Sequence, residues 1–106
     1  MDKPYIKKRI KANVAELDPD AEVILFGSQA RGDEGSESDW DVLILVNDPV
    51  TFQLEQRFIE NMFELELELA IAISPFVYAR SDWKGKQGKH SITPLYQNIS
   101  EEGVQL

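Results

Sequence analysis

Gly27-Ser28-Gln29-Ala30-Arg31-Gly32, then a polar loop, then Ser38-Asp39-Trp40-Asp41 running into Val42-Leu43-Ile44-Leu45-Val46, is the stretch that decides the fold. Just ahead of it, Glu22-Val23-Ile24-Leu25-Phe26 is a short apolar run and reads as a buried strand. Gly27 permits a tight turn and close backbone approach. Ser28-Gln29-Ala30-Arg31 opens a short helix, whose free N–H groups favour an anion. Asp39 to Val46 reads as a second strand, apolar on both faces from Val42 onward, the mark of a central strand covered on each side. Residues two apart on a strand share a face, so Asp39 and Asp41 project together. Two ionised carboxylates side by side on a core strand repel each other, and a divalent cation supplies a reason for both. Mg2+ prefers hard oxygen ligands and binds through one or two carboxylates plus substrate phosphates. A phosphate cradle beside a carboxylate pair is a candidate phosphoryl- or nucleotidyl-transfer site. For the Asp-x-Asp alone the plainer reading is an Asx-turn at Asp39 and a solvated Asp41. The Gly-Ser turn at its offset tips the balance toward chemistry.

Working outward, Ile6, Ile10, Val14 and Leu17 recur at helical spacing over residues 4–17, with Pro4 in the first turn and Asp18-Pro19-Asp20 as the stop. Gly32 to Ser38 is a polar loop, and Asn47-Asp48-Pro49 closes the second strand. Thr51 caps a second long helix with Leu54, Phe58, Met62, Leu65 and Leu69 as its buried stripe. Glu64-Leu65-Glu66-Leu67-Glu68-Leu69 also alternates with the strand period. Glu and Leu favour helix, so the spacing predicts a helix to about Leu67 and a third strand over Ala70–Ala79, broken or bent at Pro75. Ser81 to Ser91 reads as a Gly/Lys-rich loop, and Thr93-Pro94 as the start of a final helix through Ser100 or beyond. The expected fold class is α/β, a small mixed sheet flanked by helices, with residues 1–106 as one domain.

Composition narrows the function. There is no Cys and one His, which excludes disulfide frameworks, thiolate zinc sites, cysteine nucleophiles and His-based metal cages. The 11 Lys+Arg against 19 Asp+Glu leave a net charge of −8, which disfavours direct nucleic-acid binding. Lys3, Lys7, Lys8, Arg9 and Lys11, and separately Lys84, Lys86 and Lys89, form basic groups that solvated surfaces also explain. No apolar run approaches the ~20 residues of a membrane span, and Met1-Asp2-Lys3-Pro4 opens no signal peptide. The expectation is a soluble, cytoplasmic chain that uses no membrane.

Gly27-Ser28, ten residues, then Asp39-Trp40-Asp41, with Ala30-Arg31-Gly32 in the gap, resembles the nucleotidyltransferase superfamily that includes DNA polymerase β. It resembles in particular the minimal nucleotidyltransferase branch, including antitoxin-type members. The resemblance implies a polymerase β-like palm core. Gly27 and Ser28 would hold the β- and γ-phosphates of a nucleoside triphosphate, with ATP the expected one. Asp39 and Asp41 would hold Mg2+ during in-line attack at the α-phosphorus. Arg31 would contact phosphate, or pin the short helix or the acidic loop at Asp33 and Glu34. The family usually has a third carboxylate on the next core strand, but Ala70-Ile71-Ala72-Ile73-Ser74 contains no acid. Glu68 is the nearest candidate for that catalytic role and Glu66 the second, unless Glu64, Glu66 and Glu68 are all solvent-facing helix residues. Small members of this type are often paired with a helical HEPN-type toxin, which they neutralise, in some cases by attaching AMP.

Other residues fit structure better than chemistry. Ser38 orients the start of the strand, His90 sits in a polar loop, and Trp40 points away from the two Asp into the core. Trp83 and Tyr78 could stack on a base but suit packing between the last strand and the final helix. The sequence therefore reads as a nucleotidyltransferase using Mg-NTP and acting on a protein partner such as a HEPN-like toxin. The alternative is a catalytically silent nucleotide-binding or antitoxin interaction module, which the missing third acid favours.

Overall fold

Apolar periodicity sets the helices where the spacing puts them. A computed structural model describes residues 2–32, 39–47, 49–84 and 94–106. Helix α1 (Lys3–Leu17) is capped by Asp2, whose Oδ1 accepts from the Tyr5 N–H at 2.8 Å, and buries Ile6, Ile10 and Val14. Strand β1 (Glu22–Phe26) follows, then the single-turn helix α2 (Ser28–Arg31) and strand β2 (Trp40–Val46). Thr51 caps α3 (Phe52–Leu69), which buries Phe58, Met62, Leu65 and Leu69. The remaining elements are β3 (Ile73–Ala79), α4 (Arg80–Lys84), α5 (Pro94–Glu102) and β4 (Val104–Gln105).

The sheet order is β3-β2-β1-β4, with β2 parallel to β3 and antiparallel to β1. This is the mixed sheet flanked by helices that the pattern implied, with β2 an interior strand. Alternate residues of β2 serve two cores. Val42, Ile44 and Val46 pack with α1 and α3, whereas Leu43 and Leu45 pack with Phe26, Trp83 of α4 and Ile99 of α5. Asn13 and Asn61 tie α1 to α3, each side-chain amide donating to the other's backbone carbonyl at 3.1 Å. Trp40 is buried with the α1–α3 core, away from the Asp face. Trp83 stacks on Tyr78 at 5.3 Å and meets Tyr96 at 5.1 Å, so this aromatic group packs β3, α4 and α5 together.

Several boundaries differ from expectation. β2 begins at Trp40 rather than Asp39. α3 runs to Leu69 rather than Leu67, because Leu65 and Leu69 continue the stripe of Phe58 and Met62. It ends where Ala70 turns left-handed at φ 56°, and β3 therefore starts at Ile73, not Ala70. Pro75 does not break β3. The Trp40 N–H donates to the Ala72 carbonyl at 2.8 Å, so Ala72 faces β2, while Ile73 and Pro75 face the open edge of the sheet. Pro75 needs no ladder donor there. The start of the expected 81–91 loop is helix α4, and residues 85–93, including His90 and Thr93, lie outside the described residues. β4 was not foreseen. It pairs with β1 through Ile24↔Gln105 and Leu25↔Val104.

Two phenylalanines of α3 test this division of faces. Phe58 is fully buried and Phe63 is 56% exposed. Phe58→Ala should cost about 3–5 kcal/mol, and Phe63→Ala should stay within about 0.5 kcal/mol, both read from urea denaturation midpoints.

Candidate active site

β1 ends opposite the start of β2, with Phe26 in register with Asp41. The chain must turn sharply there, and Gly27 does so at φ 77°. Its carbonyl accepts the N–H groups of Ala30 and Arg31, both at 3.1 Å, which winds α2. Gly32, at φ 79°, closes that helix by donating to the Ser28 carbonyl at 3.0 Å. A Cβ built on Gly27 would lie 2.3 Å from Asp41 Oδ2. Glycine is thus required at this position twice, by its backbone angle and by the carboxylate lying against it.

The turn and the acids therefore form one site. Burial is the main cause pushing the Asp41 carboxyl above its ordinary pKa, and the Asp39 charge adds to it, while Arg31 pulls the other way. Asp39 is exposed and accepts from the Ser74 hydroxyl at 3.4 Å. Ser74 is in register with Asp41 on β3, so the neighbouring strand offers this face a hydroxyl. Arg31 pairs with Glu102 of α5 at 3.0 Å, which ties the motif helix to the C-terminal helix. Phe26 and Phe76, their rings 5.5 Å apart, lie on the same sheet face next to the acids.

Gly27, Ser28, Asp39 and Asp41 come together as the spacing implied, with Arg31 close enough to act on Asp41. Glu68 does not join them. It lies in the last turn of α3, on the sheet face opposite the Asp pair, and is ion-paired with Arg9 of α1. That partner holds the Glu68 carboxyl below the ordinary glutamate range and raises Arg9. Glu66 is also committed elsewhere, its Oε2 accepting the Ile73 N–H at 3.1 Å. The helical continuation through Leu69 is the reason, because it aims both side chains away from β2. Sequence reasoning missed Ser74 and Glu102. Only the strand register reveals the first, and only the docking of α5 the second.

Among the described residues no cluster of three or more His, Cys, Asp or Glu could hold a metal. The pair is nonetheless an apt donor set for a hard dication. Two oxygen ligands sharing a face, one strained by burial and like charge, leave the other positions to phosphate and water.

Comparison with known proteins assigns the chain to a family. The nucleotidyltransferase domain family matches residues 7–101, and the chain belongs to it. It is a nucleotidyltransferase. It is 41% identical over 78 residues to a protein of Methanocaldococcus jannaschii named as a protein adenylyltransferase, an overlap of 72% of this chain and 79% of that one. A solved minimal nucleotidyltransferase superposes with a TM-score of 0.63 at 23% identity, over 100% of this chain and 97% of the other. A chain of a toxin–antitoxin crystal structure with AMP-PNP superposes at 0.59 and 20% identity, over 90% of this chain and 70% of its own.

Two outcomes follow from the geometry. A raised carboxyl pKa means the folded chain binds the Asp41 proton more tightly than the unfolded one, so stability falls as pH rises through that pKa. Asp41→Asn should therefore melt higher than the wild type at neutral pH in EDTA, the gap closing toward pH ~4. Gly27→Ala should abolish cation-dependent nucleotide binding by calorimetry, because its methyl displaces Asp41. Ser28→Ala should weaken that binding only a few-fold, about the worth of one hydrogen bond.

Proposed function

We propose that this chain binds a magnesium-complexed nucleoside triphosphate, ATP, and transfers AMP to a hydroxyl of a protein partner, one of the HEPN toxin type. The observation that carries the proposal is the Asp41 carboxylate lying against the Gly27 turn, which supports reading the acids as metal ligands and the turn as a phosphate cradle. The adenylyltransferase name of the relative and the AMP-PNP of the structural neighbour support the choice of nucleotide. The toxin–antitoxin neighbour and the chain's charge of −8 support a protein acceptor over nucleic acid. Residues 1–106 act as one domain in the cytoplasm. No described helix is long and apolar enough to cross a membrane.

In this reading the Gly27-Ser28 turn holds the β- and γ-phosphates and Arg31 contributes positive charge. Asp39 and Asp41 are the metal ligands, with Ser74 fixing the Asp39 rotamer. Mg2+, when bound, neutralises charge on the triphosphate as it develops. The acceptor oxygen forms a bond to the α-phosphorus, the bond to the bridging oxygen breaks, and pyrophosphate leaves. The hydroxyl proton goes to water, since Glu68 and Glu66 face elsewhere. That same displacement of Glu68 favours the second reading, a nucleotide-binding antitoxin module without turnover.

ATP labelled at the α-phosphate, incubated with Mg2+ and a partner of the proposed HEPN type, decides between them. Label should appear on the partner and fall by about 10²–10³-fold in Asp39→Asn or Asp41→Asn, the loss of several kcal/mol of charge stabilisation. Glu68→Gln should leave transfer unchanged. Calorimetric binding of Mg-ATP with no label transferred by the wild type would establish the silent module instead.

A further inference from the structure

We infer that the outer face of α3, with the open edge of β3, is a docking groove for a basic amphipathic helix of a protein partner. Phe52, Ile59, Phe63 and Leu67 share one face of α3 and are 72%, 38%, 56% and 69% exposed. They make up four of the six large hydrophobic residues exposed among the described residues. Such a stripe on a soluble surface marks an interaction site rather than chance. Between it and β3 runs a groove of about 590 Å³, floored by Ile59, Phe63, Ile73 and Pro75.

Charge selects the occupant. Glu60, Glu64 and Glu66 also line the groove, and α3 as a whole carries five Glu against one Arg, 1 − 5 = −4. Glu60 and Glu64 have no ion-pair partner among the described residues. A second copy presenting the same face would set −4 against −4, so the complement is a cationic chain with apolar anchors.

Backbone chemistry selects its conformation. An added strand needs donors along the β3 edge, and beside the groove that edge offers none, because the Ile73 N–H is taken by Glu66 and Pro75 has none; outward donors resume only at Val77. A helix laid between α3 and β3 needs no such donors. The groove lies across the sheet from Asp39 and Asp41, so the inference does not depend on AMP transfer.

The test uses the full chain and two labelled helical peptides of about five turns, one built from Leu and Lys, the other from Leu and Glu, titrated by fluorescence anisotropy. The Leu/Lys peptide should bind, and Phe63→Ser and Glu64→Lys should each weaken it by ~10-fold or more. Glu101→Lys, an equal charge change on α5, should leave binding intact. Circular dichroism should show every variant folded, since all three positions are exposed. Equal binding of the two peptides would overturn the inference, as would binding insensitive to Phe63→Ser or equally weakened by Glu101→Lys. No binding of the Leu/Lys peptide would overturn it as well, and a sedimentation dimer that Phe63→Ser dissociates would then assign the face to self-association.

Discussion

The carboxylate of Asp41 occupies the space a side chain at position 27 would need, and most of the architecture serves that contact. It requires β1 and β2 to be antiparallel neighbours with Phe26 opposite Asp41. It also requires a left-handed residue at the turn, which Gly27 supplies. The helix that leaves the turn is one turn long because Gly32 ends it, and this keeps Arg31 within reach of both Asp41 and Glu102. An acid partly buried against backbone is poorly hydrated. Burial and the neighbouring Asp39 charge both disfavour its ionised form, a cost that an opposite charge would relieve.

The alternation of β2 divides the protein into two functional sides. Residues 42, 44 and 46 anchor the long helices, and the other side carries the acids, the Phe26–Phe76 pair and the shorter helices α4 and α5. The long-helix side provides rigidity, with several fully buried side chains and the reciprocal Asn13–Asn61 hydrogen bonds. Asp39 and Asp41 stand on the opposite side. Glu68 belongs to the helix side by the geometry of α3, whatever its distance along the sequence.

Much of this was legible beforehand. β1, α2 and the capped start of α3 followed from apolar runs, a Gly turn and a Thr cap, all local signals. The acid pair followed from the two-residue period of a strand. What remained hidden depends on distant partners. Glu64–Leu69 satisfies helix and strand periods alike, and only the packing of Leu65 and Leu69 beneath α3 resolves it. β4 is two residues long and exposed, so no pattern announces it. Ser74 reads as an ordinary polar residue until the parallel register with β2 sets it beside Asp41.

The strand that borders the sheet on the β3 side has a further consequence for the chain in a crowded cell. Unpaired strand edges recruit other strands and seed aggregates. Here the first outward donor is capped by a carboxylate from α3, and the next position is an imino acid that cannot donate. Residues 66, 73 and 75 thus blunt the first half of this edge, leaving Val77 and Ala79 as its outward donors. The blunted half is the part of the edge that lies beside the exposed apolar stripe of α3, where a recruited strand would otherwise find both a ladder and a greasy wall.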